Sequence, residues 1–354
     1  MRPSAPPKAH VFICRPGFEE ALRLECADRF GIQGDSEHRA AVTFPDSTTL
    51  PRYSDTVFAR QVLPRALMIR FSDVDEAAKT IISRFDIMSK RQNRQSGRWT
   101  LHCYSVDDDD CLALAKTAGK KLLAHTRQKH AEFQKRFVDA QDFPETCKNP
   151  DDMILQIFTS AKGLMWFSIG SLHDGVHPYE GGFRRMKTLK GAPSRSASKL
   201  EEALLALGKH PDPGDTAVDL GAAPGGWSFV LARYGAIVQA IDHAKVDVNS
   251  FKNIKGSIEH ISDNGLTFEP NRTVDWLVCD MVMPSKDTLR VLTKWQQKAL
   301  MRHFVVNIKL SKSNIWPQTK QVLDVLKGFE WAQTRARQLI HDRNEITLFG
   351  SKHL

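Results

Sequence analysis

The six cysteines (Cys14, Cys26, Cys103, Cys111, Cys147 and Cys279) contain no CxxC pair, and none has the Cys/His spacing of a zinc site. A disulfide framework and a zinc knuckle are therefore disfavoured, and the thiols are expected to be reduced and buried as small apolar groups. No apolar run is long enough to cross a bilayer, and the opening "MRPSAPPKAH" lacks the apolar stretch of a secretory signal. The expectation is a cytoplasmic protein without a membrane partner. Acidic side chains are the scarcer sign: 41 Asp and Glu stand against 50 Lys and Arg, for a formal net charge of +9. That balance argues for a polyanionic partner. Present instead are 354 residues, 41% of them hydrophobic, enough for two or three folded cores.

The first half reads as small α+β units. "HVFICRP" has strand character, and Phe18, Ala21, Leu22 and Cys26 then recur on one helical face. "ALMIRF" is a strand and "DVDEAAKTIISRF" an amphipathic helix with acids in its first turn. "RWTLHCYS" alternates Trp99, Leu101 and Cys103 against Thr100, His102 and Tyr104, which predicts a half-buried strand. Four acids, Asp107–Asp110, open a long helix that turns basic at Lys120, Lys121, Arg127 and Lys129. A solvated face is the stronger reading there, with phosphate contact second. "MILQIFTSAKGLMWFSIG" is a hairpin around a Gly-containing turn. Patterning stops at "SLHDGVHPYEGGFRRMKTLKGAPSRS", which carries Arg184, Arg185, Lys187, Lys190 and Arg195. The expected division is 1–65 and 66–172 as two α+β domains, 173–195 as a basic linker, and 196–354 as an α/β domain.

From Ser196 the rhythm changes. A helix runs over "SASKLEEALLALG", with serine at its start and Gly208 at its stop. Strands follow at "AVDL", "AIVQAI", "DWLVCD" and "HFVVNIKL" with helices between most of them, which predicts a parallel sheet covered on both faces. "EWAQTRARQLI" and "EITLFGSK" suggest a closing antiparallel hairpin.

In "AVDLGAAPGGWS" a buried strand hands over to a helix through Asp219, Gly221, Ala223, Pro224, Gly225 and Gly226. Asp242 ends the next strand, where a carboxylate can accept from both ribose hydroxyls of an adenosine. The dinucleotide pattern G-x-G-x-x-G cannot be laid on "GAAPGGW", and Pro224 argues against a pyrophosphate on the turn. An adenosine ligand without a pyrophosphate fits better, and S-adenosylmethionine is the common one.

"DLGAAPGGWS" resembles motif I of the S-adenosylmethionine-dependent RNA ribose 2′-O-methyltransferases, a family with a Rossmann-like domain and a Lys-Asp-Lys-Glu tetrad. Lys199 in "SRSASKLEEA", Asp280 in "WLVCDMV", Lys309 in "VVNIKL" and Glu345 in "DRNEITL" match the tetrad in order. "ICRPGFEEAL", "PSRSASKLEEA", "VCDMV" and "HDRNE" extend the likeness, over the whole chain, to the bacterial large-subunit methyltransferase M group. That group methylates a cytidine ribose in 23S rRNA. One departure is Ala223, where many members of that group are expected to carry cysteine; a small residue still suits the turn.

The resemblance implies a fold and a set of roles. A ferredoxin-like region and a THUMP-like RNA-binding region precede the methyltransferase domain. Lys309 is the base, Lys199 positions the hydroxyl, Asp280 orients Lys309 near the methyl donor, and Glu345 completes the network. Ser196 and Asp263 join the cofactor site, Asp263 toward the adenine amine. A lysine accepts a proton only when neutral; desolvation and a neighbouring ammonium favour that form, while Asp280 and Glu345 oppose it. Arg184, Arg185, Lys187 and Arg195 are candidate phosphate contacts. The partner is 23S rRNA or a large-subunit assembly precursor, no metal is expected, and a monomer is favoured. Two alternatives stand: an inactive RNA-binding assembly factor with this fold, and a NAD-dependent oxidoreductase, which "GAAPGGW" disfavours.

Overall fold

Alternating apolar residues in the first 184 positions build one sheet rather than two. The computed structural model describes residues 8–92, 97–184, 189–248, 251, 252 and 254–353. The chain divides into two units, Met1–Arg184 and Arg185–Leu354. The first contains β1 (Lys8–Ile13), α1 (Glu19–Phe30), β2 (Asp35–His38), β3 (Ala41–Pro45), β4 (Gln61–Arg70), α2 (Val74–Gln92) and β5 (Trp99–Tyr104). Then come α3 (Asp109–Lys129), the short α4 (Ala131–Gln134) and α5 (Phe143–Thr146), and the hairpin of β6 (Met153–Ala161) and β7 (Leu164–Ser171). The seven strands lie in the order β2-β3-β1-β4-β7-β6-β5.

The expected boundary between residues 65 and 66 therefore falls inside β4, which pairs antiparallel with β1 on one edge and β7 on the other. The apparent break in the sequence is Pro64–Arg65. There the β1–β4 register shifts and Arg65 takes φ +48°, an irregularity that lets a proline sit in a central strand. The expected linker also starts too early. Gln61 Nε2 donates to the His177 carbonyl at 3.0 Å, and the His177 amide donates back to Gln61 Oε1 at 2.7 Å. The Cys103 amide donates to Glu180 at 2.8 Å. Gly182, at φ +77°, lies so close to the Arg60 carbonyl that a Cβ would approach its oxygen to 2.2 Å. Residues 173–184 thus belong to the first unit.

β5 is buried on both faces rather than one. Trp99, Leu101 and Cys103 enter the core with residues of α2 and α3. On the other face Tyr104 packs on Phe158 and beneath Gly181, and His102 is fully enclosed. The acids ahead of α3 act as expected: Asp108 accepts from the Cys111 amide at 2.9 Å, with Asp109 and Asp110 in the first turn.

The second unit contains α6 (Ala197–Leu207), β8 (Thr216–Leu220), α7 (Gly226–Tyr234), β9 (Ile237–Ile241), β10 (Ser257–Ile261) and β11 (Val274–Cys279). α8 (Ser285–Gln297), β12 (Met301–Lys309), α9 (Ile315–Lys327), β13 (Gln333–Arg337) and β14 (Glu345–Ser351) complete it. Its sheet has the order β10-β9-β8-β11-β12-β14-β13. β8 to β12 pair in parallel, and β14 enters antiparallel between β12 and β13. β10, an edge strand of mixed polarity, had no apolar alternation to reveal it. α6 and α7 pack on one face with Ala217, Trp276, Val278, Val305 and Phe349; α8 lies against β12 and α9 against β13. The six cysteines are free and buried, and among the described residues no helix is long and apolar enough to cross a membrane.

Candidate active site

The two-residue period of a strand sorts side chains between faces, and it assembles the tetrad. On β11 and just beyond it Trp276, Val278 and Asp280 share a face; on β12, Val305, Asn307 and Lys309; on β14, Phe349, Thr347 and Glu345. Trp276, Val278, Val305 and Phe349 pack under α6 and α7, Asn307 and Thr347 are buried polar residues, and the charged residue stands where β11 and β12 end and the antiparallel β14 begins. The register sets Lys309 opposite Glu345 and Cys279 beside Val306. Lys199 comes from above, in the first turn of α6. Three strands and one helix, 146 residues apart at the extremes, thus bring the four predicted residues together.

Lys309 Nζ donates to Asp280 Oδ1 at 2.5 Å and to Glu345 Oε2 at 2.6 Å. Lys199 Nζ donates to Glu345 Oε1 and lies 3.9 Å from Asp280 Oδ2. Burial opposes charge on Lys309, but the two carboxylates outweigh it and hold the ammonium above its ordinary range. Burial likewise opposes charge on Glu345, and its hydrogen bonds from Lys199 and Lys309 win, holding the carboxyl below its usual range. The balance left open by sequence falls on the side of a charged Lys309.

Three supporting residues escaped the sequence reading. Asn307, fully buried, donates from Nδ2 to Asp280 Oδ1 at 3.0 Å and fixes the carboxylate against Lys309. Glu202 accepts from the Ile340 and His341 amides at 2.7 and 3.1 Å, which ties α6 to the segment entering β14. Asp342 is buried there, accepting from the Leu339 amide and Thr347 hydroxyl, both at 2.9 Å; burial pushes its carboxyl far up. The available signals were positional: Asn307 lies two residues before Lys309 on a strand, and Glu202 three after Lys199 on a helix.

The glycine turn closes on itself. The Gly221 and Ala222 amides donate to the Ile241 carbonyl at 2.9 and 3.2 Å, and the Gly225 amide to Ala222 at 2.6 Å. The Ala223 amide donates to Asp242 Oδ2 at 3.0 Å, and Pro224 has no amide hydrogen. With those donors engaged, the turn offers them to no pyrophosphate, whereas a carboxylate at the end of β9 remains for hydroxyls. The donor set therefore fits a nucleoside such as the adenosine of S-adenosylmethionine. Gly221, at φ +74°, lies under Met281, the neighbour of Asp280; a Cβ there would come 2.2 Å from Met281 Cγ. At Gly226 a Cβ would meet Ser194 Oγ at 2.2 Å, so the segment before α6 lies on the turn.

The remaining candidates are placed as follows. Asp219 is 1% exposed, accepts from Ser228 Oγ at 2.7 Å, and is pushed by burial up to about 7; it braces β8 against α7. Ser196 precedes α6 without a side-chain cap; its hydroxyl meets Ser194 at 2.7 Å and its carbonyl accepts from Trp227 Nε1 at 2.9 Å. Asp242 also accepts from the Ala244 amide at 2.8 Å. Asp263, exposed beyond β10, accepts from the Asn264 amide at 2.6 Å. Its strand end is tied to Asp242, whose amide donates to the Ile261 carbonyl at 3.2 Å. Arg195 is exposed, and Arg184 lies over the Tyr179 ring at 5.4 Å with Glu145 at 3.7 Å. Arg185 and Lys187 lie outside the described residues.

Residues 192–337 match the model of the FtsJ-like methyltransferase family. The chain is 31% identical to "Ribosomal RNA large subunit methyltransferase M" of Methylococcus capsulatus, over 97% of this chain and 98% of that one. It is 29% identical to the protein of the same name from Xanthomonas axonopodis pv. citri, over 96% and 98%. A third, from Actinobacillus pleuropneumoniae, is 27% identical over 96% and 97%.

Proposed function

Because the chain belongs to the ribosomal RNA large subunit methyltransferase M family, we propose that it methylates the ribose 2′-oxygen of one specific cytidine in 23S rRNA. S-adenosylmethionine supplies the reactive methyl group on a sulfonium. The observation that carries this reading is the closed Lys199–Asp280–Lys309–Glu345 cluster at the same end of the sheet as the glycine turn and Asp242.

A ribose hydroxyl is a weak nucleophile, so the residues must orient it and take its proton. Lys199 and Lys309 flank Glu345, one on each carboxylate oxygen, and present two N–H-bearing groups toward an incoming hydroxyl. The oxygen–methyl bond forms as the sulfur–methyl bond breaks, S-adenosylhomocysteine leaves, and the hydroxyl proton passes to Lys309 Nζ. Lys309 rests as an ammonium, so it accepts that proton only after losing its own. Its neutral form is the minor species at neutral pH and grows tenfold per pH unit. Asp280 and Asn307 hold the nitrogen in line throughout.

The first unit, in this reading, is the RNA-binding region, ferredoxin-like and THUMP-like parts sharing one sheet. Arg184, Arg185, Lys187 and Arg195 hold phosphates that aim the strand. The substrate is 23S rRNA or a large-subunit precursor, and the enzyme acts as a cytoplasmic monomer. Transfer of tritiated methyl from S-adenosylmethionine to rRNA, followed by mapping of ribose methylation in cells lacking the protein, tests it. Loss of one 2′-O-methyl cytidine is expected. An unchanged methylation map together with no label transfer would leave the inactive assembly factor as the better reading.

A further inference from the structure

Three donors in the first unit converge on one point far from any role in methyl transfer. Asp86 lies on α2, His125 near the end of α3, and His130 directly after α3. The Nε2 atoms of both histidines stand 2.7 Å from the same oxygen, Asp86 Oδ1. All three side chains are half-buried, at 34, 22 and 18% exposure.

We propose that Asp86, His125 and His130 bind a divalent transition-metal ion, zinc by preference, which clasps α2 to the end of α3. Two imidazole nitrogens and one carboxylate oxygen are a borderline donor set, suited to zinc, nickel or copper and poorly suited to calcium or magnesium, which take oxygen. A tetrahedral ion about 2.0–2.2 Å from each donor needs the donors roughly 3.3–3.6 Å apart, so the observed 2.7 Å contacts open by roughly 0.6–0.9 Å, within the reach of half-buried side chains. Half-burial leaves the outer coordination positions to water.

The surroundings of His130 support the same reading. Ser89 donates its single hydroxyl hydrogen to the Asp86 carbonyl at 3.1 Å, and its oxygen is 3.3 Å from His130 Nδ1. That oxygen is therefore placed to accept Nδ1–H, the hydrogen bond a metal-bound histidine makes with its outer nitrogen. In that tautomer Nε2 presents a lone pair beside the Asp86 carboxylate, and an ion bound by both would take the place of the proton that otherwise bridges them. Phe85 packs edge-on against the ring at 5.2 Å and restricts its rotation. His125 and His130 are an H-x4-H pair, but no cysteine pair accompanies it and the third ligand comes from a separate helix, so the sequence alone did not mark the site.

The test uses the full-length protein without a histidine tag, stripped by chelator and titrated with zinc chloride by calorimetry. Cobalt absorption serves as an independent probe of the ligand field. One ion per chain in the micromolar range or tighter is expected, with a melting midpoint that rises on zinc addition and falls back with chelator. Asp86→Asn and His125→Gln should each remove saturable binding. Ser89→Ala, which deletes no ligand, should weaken it roughly 10- to 100-fold. Should the ligand variants fail to fold by circular dichroism, Ser89→Ala and the cobalt spectrum still decide. No saturable binding by the parent, or equal affinity in Ser89→Ala with no cobalt bands, overturns the proposal and leaves a proton-bridged Asp–His clasp.

Discussion

Replacing Lys309 by methionine keeps the length and apolar stem of the side chain and deletes the nitrogen. Two charge-assisted hydrogen bonds go, at 2.5 and 2.6 Å. The cluster's formal charge falls from 0 (two lysines against Asp280 and Glu345) to −1, with Lys199 the remaining cation. Breaking a fully buried ion pair costs about 3–5 kcal/mol. Here the side chains are 23, 18 and 9% exposed and Lys199 still compensates Glu345, so the loss should be nearer about 1–3 kcal/mol. For a unit of this size that lowers the melting midpoint by roughly 2–12 °C. The chemical step should slow by at least about 10²-fold, or about 2.7 kcal/mol of barrier, while cofactor and RNA affinities change little. Single-turnover transfer of labelled methyl to rRNA, with calorimetry for binding and a melt for folding, measures all three. Lys312→Met, exposed three residues on, is the control and should be near neutral. A folded Lys309→Met enzyme with a near-normal single-turnover rate would refute the assignment of the proton acceptor.

The single-turnover rate should rise about tenfold per pH unit from pH 6 to 9 without a plateau, because the carboxylates hold Lys309 above its ordinary range; a flat profile would mean that the proton leaves by another route. Asp242→Ala removes the acceptor for the ribose hydroxyls and frees the Ala223 and Ala244 amides, so S-adenosylmethionine should bind about 1–3 kcal/mol more weakly by calorimetry with the fold retained. Replacing Arg184, Arg185 and Lys187 together should flatten the salt dependence of RNA binding while leaving cofactor affinity alone, and equal slopes would assign those charges to solvent. Asp219→Asn should raise the melting midpoint at pH 8 but not at pH 4. The Asp219 pKa is raised on folding from its ordinary value near 4 to about 7, so the folded state loses stability as pH climbs through that window, and asparagine escapes the loss.

Two members of the proposed catalytic cluster were legible from patterning, whereas Lys199 and Glu345 came from the family resemblance alone. Asp280 and Lys309 close apolar strands, and charge at such a place stands out from sequence alone. The groups that steady them were harder to see. Asn307 reads as one polar residue in a hydrophobic strand, and only the β11–β12 register discloses that it meets Asp280. In the first unit a domain boundary was expected after residue 65, yet the irregularity in β4 absorbs Pro64 and the sheet runs on. Local punctuation marks a bulge and a boundary alike; long-range pairing decides between them. The protonation of Lys309 was undecidable for a related reason, since its opposing influences come from four separate segments whose distances only the fold sets.

Lys309 and Glu345 face one another because β14 enters the sheet in a fixed phase. Strand positions come in two parities, and only one of them points a side chain at α6. The connection from residue 338 to 344 can change in length as long as the strand beyond it keeps its phase. A single residue gained or lost between Glu345 and the rest of β14 would turn Glu345 to the opposite face and leave both lysines with Asp280 alone. In the proposed reaction an odd–even count in one strand thus matters as much as the identity of four residues.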